Sequence, residues 1–181
     1  MPGRRRQRKG KKYDAAKRRP ATELLLPPGP GERDRHGPTS FANYQTVHDG
    51  RMGDFMDEGF VTSHTLEFGK SELGYITLAG EVRCLGPITI QVDKRLKILR
   101  GAGPTATVRT VEYSYHAQAD GRGPLFRYCS PHDRSYHHVH RFDVFDSWGA
   151  FPVQEIRYGN DIPTLSEVIE EARDIYYDHE F

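Results

Sequence analysis

The chain has 181 residues, enough for one ordinary domain with additional length, and its apolar content of 36% is low for a chain that is folded throughout. Its two cysteines, Cys84 and Cys129, exclude the disulfide framework of small secreted proteins and favour a reduced, cytoplasmic setting. No apolar run approaches the roughly 18 residues that cross a bilayer, so we expect no membrane partner.

Residues 1–40 are predicted to form a disordered, basic arm that is rich in proline and glycine. Residues 1–19 carry ten Lys or Arg and one acid, whereas the remaining 162 residues carry 16 basic and 24 acidic side chains. This asymmetry favours binding of RNA, DNA or another polyanion without sequence preference. A solubilising or assembly-related tail, and an arm that folds back on the acidic body, stay open as alternatives. The candidate nucleic-acid-binding residues of the arm are Arg4, Arg5, Arg6, Arg8, Lys9, Lys11 and Lys12.

Residues 41–72 form an ambiguous extension, because no hydrophobic period holds over a useful window. From residue 73 onward, short segments bounded by glycine or proline predict antiparallel strands. Ala79 and Gly80 predict a tight hairpin turn, and residues 120–123 predict a second turn. The predicted strands cover residues 73–78, 81–85, 88–93, 96–99, 108–117, 125–129, 141–145 and 153–158. In the third of these, Ile88, Ile90 and Val92 alternate with polar residues, which predicts a half-buried strand.

The C-terminal region predicts a helix that packs on this sheet. Thr164 and Glu167 have the spacing of a capping box, which marks a helix start. An apolar stripe at helical spacing follows and is interpreted as core; it comprises Leu165, Val168, Ile169, Ala172, and Ile175 or Tyr176. We therefore predict an α+β domain over residues 73–181, with a twisted antiparallel sheet and a C-terminal helix on one face, preceded by the basic arm.

Residues 127–141 contain four of the nine histidines within nine positions, which predicts a chemical site. Three hypotheses stay open. In the first, His138 and His140 alternate as on a strand, which predicts that both rings point the same way. Together with Cys129 and His132 they would hold a structural metal such as zinc, with His137 as another candidate. In the second, histidines supply the base and the acid for metal-independent RNA cleavage, while arginines bind phosphate and tyrosines stack on bases. In the third, the segment is a histidine-rich surface loop without a function.

The longest predicted strand, residues 108–117, is expected to bring further polar groups to this segment. Alternation predicts one face with Arg109, Val111, Tyr113 and Tyr115, and another with Thr110, Glu112, Ser114 and His116. The hairpin that follows would carry Glu112 and His116 close to the histidines.

Several elements of the chain together resemble the TumE-type toxins of bacterial toxin–antitoxin pairs, over roughly residues 73–178. The resemblance rests on Tyr113-Ser114-Tyr115-His116, Phe126-Arg127-Tyr128, Pro131-His132, His137-His138-Val139-His140, and the start of the closing helix at Pro163–Val168. It implies a compact α+β domain, action on RNA and a cognate antitoxin protein. By position it implies a functional site at His116, Arg127, His132, His137, His138 and His140. The chain departs from the family pattern at Asp133, where a second histidine is expected, and at Cys129-Ser130.

The leading hypothesis is therefore a cytoplasmic, TumE-like toxin that acts as a metal-independent endoribonuclease without a cofactor. Its catalytic candidates are His132, His138, His140, His137, His116 and Glu112, with His132 and either His138 or His140 as the acid–base pair. Its substrate-binding candidates are Arg127, Arg134, Arg141, Tyr128 and Tyr136. The alternative is a non-catalytic nucleic-acid-binding or assembly protein with a basic arm and a zinc site at Cys129, His132, His138 and His140.

Overall fold

One antiparallel sheet with two helices organises the part of the chain that the computed structural model describes, which comprises residues 37–71, 74–130, 137–142, 153–156 and 163–178. The elements are β1 Thr39–Ser40, α1 Phe41–Asp57, β2 Val61–His64, β3 Glu67–Ser71, β4 Tyr75–Cys84, β5 Ile88–Arg100, β6 Thr107–Ala119, β7 Gly123–Cys129, β8 His138–Arg141, β9 Val153–Ile156 and α2 Leu165–Asp178. The strand order is β2-β4-β5-β6-β7-β8-β9, with β3 beside β4 and β1 beside β6. The predicted α+β class is confirmed. Residues 1–36 of the predicted basic arm lie outside the described residues, and the prediction of disorder is wrong at its end, where Thr39–Ser40 form β1.

The two faces of the sheet differ because apolar and polar residues alternate along its strands. In β5, Ile88, Ile90 and Val92 are buried, whereas Gln91 and Asp93, which alternate with them, are exposed. Both helices pack on the buried face, which we call the helix face, and the opposite face is called the polar face. Burying an aliphatic side chain of this size stabilises the folded state by about 1.5–3 kcal/mol relative to leaving it exposed. The pattern of apolar residues therefore determines which face the helices cover.

Helix α2 begins and packs as its sequence predicts. The Glu167 backbone N–H donates to Thr164 Oγ1 over 3.3 Å, and the Thr164 N–H donates to Glu167 Oε2 over 2.8 Å, so the capping box is formed. The apolar stripe is core, as predicted: Val168, Ile169 and Ala172 are fully buried against the sheet.

Helix α1 lies in the extension for which the sequence pattern predicted no element. The Ser40 side chain caps it by accepting the Asn43 backbone N–H over 3.2 Å. Only Met52 and Phe55 of this helix are buried, so its apolar stripe is too short to produce a period. Among the described residues, neither helix is long and apolar enough to cross a membrane.

The predicted hairpin turn at Ala79 and Gly80 is wrong, because β4 runs unbroken through both residues. Gly80 has a φ of 146°, and a Cβ at this position would collide with the backbone of Thr65 and Leu66. Glycine is therefore required here because the link between β2 and β3 lies directly against the strand, not because the chain turns. The segments 88–93 and 96–99 are likewise one strand, β5.

The predicted faces of β6 are correct only for its second half. Arg95 lies opposite Glu112 and Leu96 lies opposite Thr110, so Val111 is an extra residue, a β-bulge. Tyr113 and Tyr115 share the helix face as predicted, but the bulge places Arg109 on the polar face with Ser114 and His116. This shift keeps Val108 in the core, where it is fully buried.

Candidate functional site

A row of polar side chains crosses five adjacent strands on the polar face. Each member lies directly opposite the next, in the order Glu81, Gln91, His116, Arg127 and His140. Side chains that are directly opposed have Cβ atoms about 4.5–5.5 Å apart. One imidazole therefore lies on each side of the Arg127 side chain. We call His116, Arg127 and His140 the histidine–arginine row.

The exposure of this row suits contact with a ligand. Arg127 is exposed, while His116 and His140 are half-buried. Burial and the nearby Arg127 guanidinium both lower the pKa of His116 below its ordinary value of 6.5. The imidazole of His116 is consequently neutral near neutral pH, the state in which it accepts a proton.

His138 and Cys129 form the neighbouring pair of the same face. His138 lies opposite Cys129, and both side chains are buried, with 2% and 3% exposure. The rings of His138 and His140 have centroids 4.8 Å apart at an interplanar angle of 87°, so both rings point from the strand in the same direction, as predicted. The burial of His138 makes it a support for His140 rather than a group that reaches a ligand directly.

The thiol of Cys129 is held in its neutral form. Burial raises its pKa, and hydrogen bonds to Arg127 and Ser114 offset this effect only in part. A neutral thiol is a poor nucleophile and a poor metal ligand.

His137 takes no part in the row. It is buried, its Nδ1 lies 3.0 Å from the Tyr113 hydroxyl, and the two rings stack with centroids 5.6 Å apart. Tyr113 belongs to the helix face, so this contact joins His137 to the core. The predicted histidine group is thus divided between the core and the polar face.

Arg141 and Tyr128, two predicted substrate-binding residues, lie on the helix face. The Tyr128 hydroxyl donates to Glu171 Oε2 over 2.5 Å. Arg141 Nη1 forms an ion pair with the other carboxylate oxygen, Glu171 Oε1. Arg141 Nη2 also lies 3.3 Å from the Tyr128 hydroxyl. Both residues therefore fasten helix α2 to the sheet, and the structure does not bring them to the histidine–arginine row.

Glu112 shares the polar face with His116 but does not contact it. Their positions are four apart along β6, which is roughly 13 Å at the rise of a strand. Its carboxylate pairs instead with Arg95 over 2.9 Å. The predicted residues His132, Asp133, Arg134 and Tyr136 lie outside the described residues.

No group of three or more His, Cys, Asp or Glu side chains is arranged to hold a metal ion within the described ranges. The zinc hypothesis needs His132 beside Cys129, His138 and His140, and His132 lies outside those ranges. It therefore stays a hypothesis.

Sequence reasoning missed Glu81 and Gln91, which extend the row across β4 and β5. The Gln91 amide donates to Glu81 Oε2 over 2.6 Å, and Arg83 Nε donates to Glu81 Oε1 over 2.8 Å. The bond from Arg83 is the main reason that the pKa of Glu81 is lowered. Alternation along β5 does predict Gln91 on the polar face, but only the register reveals that it lies opposite His116.

A depression of about 360 Å³ lies on the helix side of the molecule, between α1 and α2. Its lining contains the carboxylates Asp54, Asp57, Glu58 and Glu170, together with Arg51 and Phe55. Carboxylates repel phosphate, so this depression does not suit a nucleic acid.

Comparison of the chain with protein-family models, with curated proteins and with solved structures gave no significant match. The resemblance to TumE-type toxins therefore stays a prediction from the sequence.

Proposed function

We propose that this protein binds RNA on its polar face and cleaves it by metal-independent acid–base catalysis. The observation that carries the proposal is the histidine–arginine row, in which a cation lies directly between two imidazoles on adjacent strands. Cleavage of RNA through its own 2′-hydroxyl needs a base, an acid and a positive charge, and the row supplies all three.

In the proposed reaction, His116 accepts the proton of the 2′-hydroxyl because its lowered pKa keeps it neutral. The 2′-oxygen forms a bond to phosphorus, and the bond between phosphorus and the 5′-oxygen breaks. His140 donates a proton to the leaving 5′-oxygen. The products are a 2′,3′-cyclic phosphate and a 5′-hydroxyl, so atoms and protons balance without a cofactor.

Arg127 has the central role in binding. Its guanidinium donates two parallel hydrogen bonds to phosphate oxygens and stabilises the charge that grows on them in the transition state. Its exposure permits this contact. His138 acts as a positioning residue through its perpendicular ring contact with His140.

The biological role that we propose follows from the resemblance to TumE-type toxins. The protein would act in the cytoplasm as the toxin of a toxin–antitoxin pair, and its antitoxin would cover the polar face. Expression of the active chain would slow growth, and co-expression of the antitoxin would restore it.

The test is a cleavage assay with the full chain and a labelled RNA, with and without EDTA. We expect a 2′,3′-cyclic phosphate product that persists in EDTA, and a loss of about 10²–10⁴-fold in rate for His116→Ala and for His140→Ala. His64→Ala is the matched control, because His64 is exposed on β2, away from the row.

Two outcomes would overturn the proposal: cleavage that EDTA abolishes, or wild-type rates in both row variants. If the full chain binds RNA without cutting it and deletion of residues 1–19 removes the binding, the non-catalytic nucleic-acid-binding alternative takes its place.

A further inference from the structure

A second group of basic side chains lies on the polar face, at the end of the sheet away from the histidine–arginine row. It consists of Arg95, Lys97 and Arg100 on β5 and Arg109 on β6, and we call it the basic patch. The bulge at Val111 places Arg109 on this face. Lys97 and Arg100 are exposed and the other two members are half-buried. The single carboxylate that pairs with a member, among the described residues, is Glu112 on Arg95.

Lys97 and Arg109 are directly opposed across the two strands. Like charges in this position destabilise a sheet. Within the described ranges, no carboxylate pairs with either side chain. An arrangement that costs stability and leaves two cations open to solvent is expected where an anion binds between them.

Neighbouring side chains favour a nucleic acid as that anion. Tyr75 lies directly opposite Lys97, and the Arg95 guanidinium covers the Tyr75 ring with its carbon 5.4 Å from the ring centroid. Arg100 donates to Thr107 Oγ1 over 3.0 Å, which holds a further positive charge beside the pair. Cations beside an aromatic ring on an open sheet are a surface that binds unpaired nucleotides.

The basic patch lies on the same face as the histidine–arginine row, at a distance that one RNA strand can span. Gln91, in the extended row, and Lys97 are six residues apart on the same continuous strand, roughly 20 Å at the rise of a strand. Both lie on the polar face, because their positions in the strand differ by an even number. A single strand of RNA that leaves Arg127 on β7, crosses to β5 and continues parallel to it would therefore reach the patch after several nucleotides.

We infer that Lys97 and Arg109 form a phosphate-binding subsite for single-stranded RNA, several nucleotides away from the phosphate that Arg127 binds. The inference rests on the proposed function for the identity of the polyanion. It adds the requirement that the RNA substrate be single-stranded and longer than the few nucleotides that the histidine–arginine row alone would contact.

The test is binding of a fluorescent, 2′-O-methylated decanucleotide to the full chain, measured by anisotropy over a range of salt concentrations. This ligand lacks a free 2′-hydroxyl and cannot be cleaved, so binding is measured independently of catalysis. For Lys97→Ala/Arg109→Ala we expect weaker binding and a plot of log K against log salt that is less steep by about 1.4, because each phosphate that is no longer neutralised reduces the slope by roughly 0.7.

The control removes the same charge elsewhere. Arg51→Ala/Arg122→Ala takes two cations from α1 and from the β6–β7 turn, and we expect it to keep the wild-type slope. Arg109→Glu guards against misfolding as an explanation: it should raise Tm, because a like-charge pair becomes an opposite-charge pair, and still weaken binding.

The inference is overturned if the Lys97→Ala/Arg109→Ala variant keeps the wild-type slope, if the control variant shows an equal reduction, or if the full chain does not bind the decanucleotide. Competition by an acidic peptide that depends equally on Lys97 and Arg109 would assign the patch to a protein partner instead. Failure of the proposed function has a different signature, in which RNA is not cleaved although the slope change is seen.

Discussion

Tyr128 donates its phenolic hydrogen to Glu171 over 2.5 Å, and this bond joins strand β7 to helix α2. The same carboxylate pairs with Arg141 of β8. A half-buried arginine on the mostly apolar helix face needs such a partner, since an unpaired charge there would be costly. Arg127 and Arg141, which look equivalent in the sequence, therefore have different roles: one faces a ligand and the other fastens a helix.

Glu171→Gln is expected to lower the free energy of unfolding by about 1–3 kcal/mol, because a charge-assisted bond to Arg141 and a bond to Tyr128 are both weakened. Urea unfolding of the variant and the wild type would measure this change in the free energy of unfolding. Glu170→Gln is the control: Glu170 is more exposed, pairs with Arg173 on the same helix, and should change stability by less than about 0.5 kcal/mol. Equal effects of the two substitutions would show that Glu171 does not anchor the helix.

Arg109→Glu is expected to stabilise the fold by about 0.2–1 kcal/mol, because it creates an opposite-charge pair with Lys97 across the two strands. Lys97→Glu should have a similar effect. The double substitution should lose the gain, since it restores a like-charge pair. Denaturant unfolding of the wild type, the two single variants and the double variant completes a double-mutant cycle. If the two changes in unfolding free energy simply add, Lys97 and Arg109 do not interact directly.

His116 is expected to titrate below 6.5, because burial and Arg127 both disfavour its charged form. Arg127→Met should raise this pKa towards its ordinary value. His48, whose pKa is lowered mainly by burial, should be unchanged in the variant and serves as an internal control. Side-chain NMR titration measures both histidines, and an unchanged His116 in the variant would contradict the cross-strand contact.

The lowered pKa of His116 also predicts how stability depends on pH. Between the lowered folded pKa and 6.5, the unfolded chain binds the proton more readily than the folded chain does. The contribution of His116 to the free energy of unfolding is therefore fully present above pH 6.5, and it is lost as the pH falls through the folded-state pKa. Removing the imidazole with His116→Gln should flatten the plot of unfolding free energy against pH in this range. An unaltered plot would contradict a lowered pKa for His116.

Both thiols are expected to react only slowly with Ellman's reagent at pH 8 in the native protein, and rapidly once it unfolds. Burial raises the pKa of Cys84 to about 12 and also raises that of Cys129, so the reactive thiolate is scarce in both cases. Cys129 should react faster than Cys84, because Arg127 and Ser114 partly offset its burial. Rapid modification of Cys84 in the native protein would be inconsistent with its packing in the core.

Local signals in the sequence predicted the parts of the fold that depend on local chemistry. The capping box at Thr164 and the alternation around Ile90 need no knowledge of the rest of the chain, and both predictions are confirmed. The turn prediction at Gly80 is wrong because a glycine that permits a close backbone approach looks the same in sequence as one in a turn. The short buried surface of α1 left no period to detect.

The candidate site was only partly predictable for a similar reason. The histidine segment and the hairpin around it were visible in the sequence, and so was the shared direction of His138 and His140. The opposition of His116, Arg127 and His140 depends on the register of three strands, which the sequence does not specify. The bulge at Val111 depends on how β6 pairs with β5, and it decides the face of Arg109.

Strand β5 runs without interruption beneath both ends of the polar face. The separation between its Gln91 and Lys97 positions is therefore set by covalent backbone geometry and by an unbroken hydrogen-bonded ladder with β4, not by the conformation of a loop. A ligand that must reach both ends would be selected by its contour length, and this selection would change little with temperature or pH. Altering it would require inserting or deleting pairs of residues in β5 and in both of its neighbours.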